Sequence, residues 1–199
     1  MSEKRHYARV GLVIAAMFLL AGCAGVVLGG AATTGVAVAQ ERTVGAAMDD
    51  AGIRFRVKDQ LLDKSGDLFR NVAVESVEGR VLLTGIVATP EERLEVARIT
   101  WQINGVREVF NELQVTNRGG IGNYLTDARI ATQLRFKLMT DGDISSINYT
   151  IETINKIVYL IGIAQSQQEL ERVTGHARTI SGVSQVVSYV ILKDDKRRL

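Results

Sequence analysis

The chain has 199 residues, with 24 lysines and arginines, 22 aspartates and glutamates, two histidines and one cysteine. A single thiol excludes a disulfide within the chain, and one thiol with two histidines is too thin a ligand set for a structural zinc site. The formal net charge of +2 resides entirely in Glu3, Lys4, Arg5 and Arg9; without them the chain is near neutral, which excludes the basic footprint of a nucleic-acid binder.

The first residues, "MSEKRHYAR", are basic and give way to "VGLVIAAMFLL". An apolar run of about a dozen residues is shorter than the about 20 needed to cross a bilayer, and this pattern predicts a secretory signal over residues 1–22. It runs into Leu20-Ala21-Gly22-Cys23, which resembles a bacterial lipobox. That resemblance implies diacylglyceryl transfer to Cys23, cleavage before it, and N-acylation. Each buried methylene contributes about 0.8 kcal/mol, so several acyl chains hold a protein to a membrane firmly. The residue after the cysteine is Ala24; in lipoproteins of this kind its not being aspartate implies the inner leaflet of the outer membrane, facing the periplasm. Residues 23–48 are Gly/Ala-rich without a sustained period and read as the acylated cysteine with a flexible tether.

Beyond residue 48 the sequence is duplicated. "DDAGIRFRVKDQLL" pairs with "LTDARIATQLRFKLM", "VEGRVLLTGIV" with "INKIVYLIGIA", and "INGVREVFNELQV" with "ISGVSQVVSYVIL". Asp50 meets Asp127, Gly85 meets Gly162, and Gly105 meets Gly182 in one gapless register. Two domains are expected, 49–117 and 126–193, with a Gly-rich linker over 118–125 and a charged tail over 194–199. Each opens with an amphipathic helix, inward at Ile53, Val57 and Leu61 or at Ile130, Leu134 and Leu138. A hairpin follows, turning at Glu78-Gly79 or Asn155-Lys156 and ending at Gly85 or Gly162. A second helix starts at Pro90 in the first copy. It is inward at Val96, Thr100 and Ile103, and its twin at Val173, Ala177 and Ile180. A last strand closes the unit. The order is αββαβ, an α+β fold in which a three-stranded mixed sheet carries two helices on one face. Gly105 and Gly182 fall where a helix end needs φ > 0.

The hairpin strand V-x-L-x-G (Val81 to Gly85, Val158 to Gly162) and the helix ending in hydrophobic-x-G-V resemble the BON domain. Two such domains behind a lipobox resemble the DolP class of dual-BON outer-membrane lipoproteins. The resemblance implies a periplasmic protein without enzymatic activity. It implies binding of anionic phospholipid, phosphatidylglycerol or cardiolipin, through the second domain, in support of envelope integrity and in some members at division sites. In the class, the start of that domain's first helix can carry a membrane-suited aromatic residue; the matching stretch here is Asp127-Ala128-Arg129-Ile130, so no specific insertion residue carries over.

No catalytic constellation stands out. His6 falls in the signal segment, His176 is isolated on a helix, and "RGGIGN" lacks the strand that a phosphate loop needs; no enzyme and no cofactor are expected. The informative feature is the outward side of the second domain's first helix. With Ile130, Leu134 and Leu138 inward, Phe136 points away, with Thr132, Gln133 and Met139 beside it and Arg129, Arg135 and Lys137 flanking. An exposed aromatic bordered by cations has the composition of an interfacial lipid-binding face. The charge balance agrees: Asp50–Asn117 has nine basic and eleven acidic residues, and Ile121–Leu199 has ten and eight. Arg129, Thr132, Gln133, Phe136, Lys137 and Met139 are therefore the candidate phospholipid contacts. Phe55 and Leu62, outward in the first domain, and Trp101 are candidates for an interdomain contact, with self-association as the other use of such residues. The tail "KDDKRRL" reads as solvated, with Lys196, Arg197 and Arg198 available to anionic headgroups. The alternative to lipid binding is an adaptor that docks on another envelope protein.

Overall fold

Helix α1 spans Val44–Lys64. Thr43 caps it, its hydroxyl accepting from the Ala46 amide at 3.1 Å, so the helix starts inside the segment read as tether, ahead of the expected boundary at residue 49. The computed structural model describes residues 41–116 and 121–198, leaving the side chains of 121–123 aside. The signal segment, Cys23 and most of the tether lie outside the described residues. After α1 come α2 (Gly66–Asn71), β1 (Val72–Val77), β2 (Arg80–Val87), α3 (Pro90–Trp101) and β3 (Glu108–Val115). The second repeat consists of α4 (Ile121–Thr140), a 3₁₀ turn (Ser146–Asn148), β4 (Tyr149–Ile154), β5 (Ile157–Ala164), α5 (Gln167–Arg178) and β6 (Gln185–Leu192). Helix α4 begins within the stretch read as linker, and the single turn of α2 is too short to show a period.

In each repeat the hairpin strands are antiparallel and the returning strand is parallel to the second. The result is two mixed sheets, ordered β1-β2-β3 and β4-β5-β6. The helices cover one face of each. Ile53, Val57, Leu61, Val81, Leu83 and Val96 form the first core, and Ile130, Leu134, Leu138, Val158, Leu160 and Val173 the second. Helices α3 and α5 start with capping boxes. The Thr89 hydroxyl accepts from the Glu92 amide while the Glu92 carboxylate accepts from the Ala88 amide at 2.8 Å. Ser166, Glu169 and Gln165 repeat the arrangement.

The hairpin turns put two consecutive residues at positive φ: Glu78 (53°) with Gly79 (74°), and Asn155 (50°) with Lys156 (67°). Three of these four are not glycine and pay a steric penalty there. A buried helix aspartate holds each turn. Asp50 accepts from the Ser76 hydroxyl (2.7 Å), the Glu78 amide (2.8 Å) and the Gly79 amide (2.9 Å), and pairs with Arg42. Asp127 accepts from the Asn155 and Lys156 amides, both at 2.7 Å. The glycine that ends the V-x-L-x-G strand has a separate reason. A Cβ on Gly85 or Gly162 would overlap the carbonyl oxygen of Asn71 or Asn148.

The second face of each sheet is also covered, by the other sheet. Val77, Leu82, Tyr159, Ile161, Ile163 and Ile191 form a third core between them. The Phe110 and Tyr189 rings stack at 3.9 Å between centroids. Arg80, buried, pairs with Glu108 at 2.9 Å, donates to the Tyr189 carbonyl at 2.9 Å, and lies over the Phe110 ring. Gln114 accepts from the Asn155 amide group at 2.6 Å. The Tyr189 hydroxyl donates to Glu112; these two positions are equivalents in the duplication, as befits pairing about a local two-fold axis. The interdomain role expected of Phe55, Leu62 and Trp101 is therefore not theirs: they are 71%, 51% and 54% exposed. They lie on helices, and the domains meet through strands. The tail differs from expectation as well. Arg107 donates to the Arg197 carbonyl at 2.7 Å, and Arg198 pairs with Glu78 at 2.9 Å and donates to the Glu41 carbonyl. The chain's last residues thus reach the first domain's turn.

Two predictions follow from these contacts. Asp127→Ala orphans two turn amides and is expected to cost about 2–6 kcal/mol, at 1–3 per unsatisfied donor, read as a fall in the urea midpoint; a loss below about 0.5 kcal/mol, the range of ordinary surface changes, contradicts the turn-holding role. Burial, and secondarily the Glu75 carboxylate, push the Glu152 carboxyl above its usual range, against the pull of Arg135. A raised carboxylate pKa destabilises the fold at neutral pH, and stability returns as pH falls through the folded value. Glu152→Gln should raise the melting temperature at pH 7, with the gain shrinking on acidification.

Candidate functional site

Helix α4 lays Ile130, Leu134 and Leu138 against the sheet, which leaves the opposite side to solvent. Phe136 is 61% exposed and Met139 68%. Phe136, Thr132, Gln133 and Lys137 line one side of a shallow groove of about 490 Å³, whose other side is Thr179, Ile180 and Ser181 after α5. Lys137 Nζ lies 3.4 Å from the Thr179 hydroxyl. The Arg129 guanidinium donates to the Ser181 carbonyl at 2.8 Å and approaches Gln133 Oε1 at 3.4 Å. Five of the six candidate residues are thus gathered at one groove. Met139 stands one helical turn away, outside the groove lining but on the same outward side. Arg135 is drawn off by the Ile151 carbonyl, to which it donates at 2.9 Å.

Two exposed residues were absent from the sequence-derived set. Tyr124 and Leu125 are exposed near the start of α4, in the stretch read as linker. The signal was available: Leu125, Thr132 and Phe136 are spaced i, i+7, i+11, which is one helical stripe. The outward side of α4 therefore carries Leu125, Phe136 and Met139 on one stripe, interrupted by Thr132, with Arg129 and Lys137 beside it. Neither cation is paired with a carboxylate among the described residues.

The far end of α4 is fixed by charge. Asp141 accepts from Arg172 Nη2 at 3.0 Å and meets His176 Nε2 at 2.7 Å, which ties the helix end to α5. The hydrogen bond from His176, then those from Arg172 and the Asp143 amide, hold the Asp141 carboxyl well below the usual aspartate range. His176, read as an isolated helix histidine, is a partner in this tie. Among the described residues no group of three or more histidine, cysteine or acidic side chains is placed to hold a metal ion, and no helix is long and apolar enough to cross a membrane.

A model of the family described as "BON domain" matches residues 49–117 and 126–194. A protein of Anaplasma centrale described as "Uncharacterized protein in gshII 5'region" is 40% identical over 152 residues, 76% of this chain and 99% of that one. "Outer membrane lipoprotein DolP" of Haemophilus influenzae is 28% identical over 90% of this chain and 93% of its own. "Osmotically-inducible protein Y" of Escherichia coli is 28% identical over 72% of each chain.

A depressed aspartate pKa contributes stability above the unfolded value and loses it as pH falls through the folded one. Acidification below the ordinary aspartate range is therefore expected to loosen the α4–α5 tie, seen as a loss of amide protection at the end of α4. Asp141→Asn should show that loss already at pH 7 and respond less to acid.

Proposed function

The chain belongs to the BON-domain family, and we propose that it is an outer-membrane-anchored periplasmic lipoprotein whose second BON domain binds anionic phospholipid and so supports envelope integrity. The observation that carries the reading is the outward side of α4: exposed Phe136 and Met139 beside Arg129 and Lys137, which have no carboxylate partner among the described residues. The name of the Haemophilus relative supports the anchored part, as does the Leu20-Ala21-Gly22-Cys23 sequence.

Magnitudes assign the parts. Burying the Phe136 side chain in the acyl boundary contributes about 1.5–3 kcal/mol. Each cation near an anionic leaflet adds about 1 kcal/mol. That sum binds weakly and reversibly in solution. An acylated Cys23 supplies permanent attachment and keeps the domain at high effective concentration beside the bilayer. The α4 side then discriminates among headgroups, phosphatidylglycerol or cardiolipin over zwitterionic lipid, and does so less as salt rises.

The test is co-sedimentation of unacylated residues 24–199 with vesicles of phosphatidylcholine alone or containing phosphatidylglycerol or cardiolipin. Binding to the anionic vesicles only, lost at high salt, is expected. Phe136→Ala with Lys137→Glu should abolish it without moving the thermal midpoint, because both side chains lie off the core. Binding that survives the double change removes α4 from the reading, and no binding to any vesicle removes the lipid and leaves a protein partner as the ligand class.

A further inference from the structure

We propose that copies of this chain associate head to tail, the helix layer of the first BON domain in one copy docking on the α4 side of the second BON domain in the next. The proposal does not rest on lipid binding, although it uses the same α4 surface.

The two sheets face each other, and each carries its helices on the other side. The helix layers of the two domains therefore lie at opposite ends of the sheet pair. The first domain's layer is apolar on both helices. Met48, Phe55 and Leu62 repeat every seven residues along α1, and Leu94 and Trp101 do so along α3, which packs beside it; all five are exposed. Each lies opposite its helix's buried stripe (Ile53, Val57 and Leu61 on α1; Val96 and Thr100 on α3), so together they form one outward surface. A patch of this kind on a soluble domain marks an interaction site.

The chemistry around the patch names its occupant. Asp59 and Asp63 border it, exposed and without a partner among the described residues; beside them Arg56 is a cation that lacks a carboxylate, and it donates to the Asn104 carbonyl at 3.1 Å. At the other end, Leu125, Phe136 and Met139 are exposed on the helix layer that carries Arg129, Lys137 and Arg178, none of them paired with a carboxylate among the described residues, against one exposed carboxylate without a cation, Glu171. Among the described residues, one end is apolar with an excess of unpaired carboxylates and the other is apolar with an excess of cations lacking carboxylates. Opposite charges across two such surfaces steer and orient association. The chain without its signal segment is near neutral, so copies do not repel as wholes. A contact between unlike surfaces at opposite ends does not close on itself; it adds copies in a row.

The test is sedimentation velocity on unacylated residues 24–199 without lipid, at low salt, over a rising concentration series. The expected result is a weight-average coefficient that climbs without a plateau at the dimer and falls back when salt is added. Trp101 is the only tryptophan, and its emission should shift to the blue over the same concentrations. Asp59→Lys with Asp63→Lys, and separately Lys137→Glu with Arg178→Glu, should each leave a folded monomer, with thermal midpoints unchanged. The first pair has a basic surface at both ends and the second an acidic one, so an equal mixture of the two should associate again. A chain that stays monomeric throughout overturns the proposal. So does assembly that stops at a dimer, assembly that either pair leaves intact, or a mixture that stays monomeric. The Asp59→Lys, Asp63→Lys chain keeps its α4 side, so its co-sedimentation with anionic vesicles reads the lipid proposal independently of this one.

Discussion

Each domain depends on one buried carboxylate. Asp50 and Asp127 reach from the first helix to the hairpin turn and accept its amides. The contact does more than hold two residues at positive φ. It sets the rotation of the helix, and so decides that Ile53, Val57 and Leu61, or Ile130, Leu134 and Leu138, face the sheet. The same turns receive the returning strand. The Gly79 carbonyl accepts from the Arg107 amide at 2.8 Å, and the Lys156 carbonyl from the Ser184 amide at 2.9 Å. Helix, hairpin and crossover strand are thus joined at one point in each repeat. A buried charge is tolerable there because donors meet it: Asp50 accepts from four groups and each oxygen of Asp127 accepts from a turn amide.

What was legible in the sequence follows the range over which each signal acts. The duplication, the hairpin turns and the inward stripes are local or periodic, and the structure has them where the pattern placed them. The alignment of Asp50 with Asp127 was visible, but not its partners, which lie 26 to 29 residues along the chain. The contact between the domains was misplaced for a physical reason. Exposed Phe55, Leu62 and Trp101 attracted the assignment because each is a large apolar residue pointing outward. The better signal was β5, "IVYLIGIA", apolar at all but one position. A strand with no polar alternation is buried on both faces, which means that something covers the side away from the helices. The outward place of Phe136 and Met139 on α4 is legible from spacing, whereas the groove against Thr179, Ile180 and Ser181 is a tertiary contact that spacing does not show, and the glycines near Leu125 hide its place on the same helix.

The sheet-to-sheet core has a consequence for what the helices can do. Strand residues take up the task of joining the domains, so the outward helix positions are free of packing constraint. The two copies have used that freedom differently. Phe55 corresponds to Thr132, Asp59 to Phe136, Leu94 to Glu171 and Trp101 to Arg178. The inward stripes at the same helices stay apolar in both, at Ile53, Val57, Leu61 and Val96 and at Ile130, Leu134, Leu138 and Val173. One scaffold therefore presents two unlike surfaces, one with an excess of free carboxylates and the other with an excess of free cations among the described residues.

That asymmetry makes the basic surface the contested one. An anionic leaflet and the acidic end of a neighbouring copy offer it the same two things, an apolar environment for Phe136 and negative charge for Lys137. They cannot both occupy it. Lipid at high local density would hold the α4 side on the bilayer and leave the first domain's apolar layer facing away, open to a neighbour. Depletion of anionic lipid would release α4 to that neighbour. Under the two proposals together, the balance would be set by headgroup charge and by the surface density of the protein, because each added copy would bring one end of each kind.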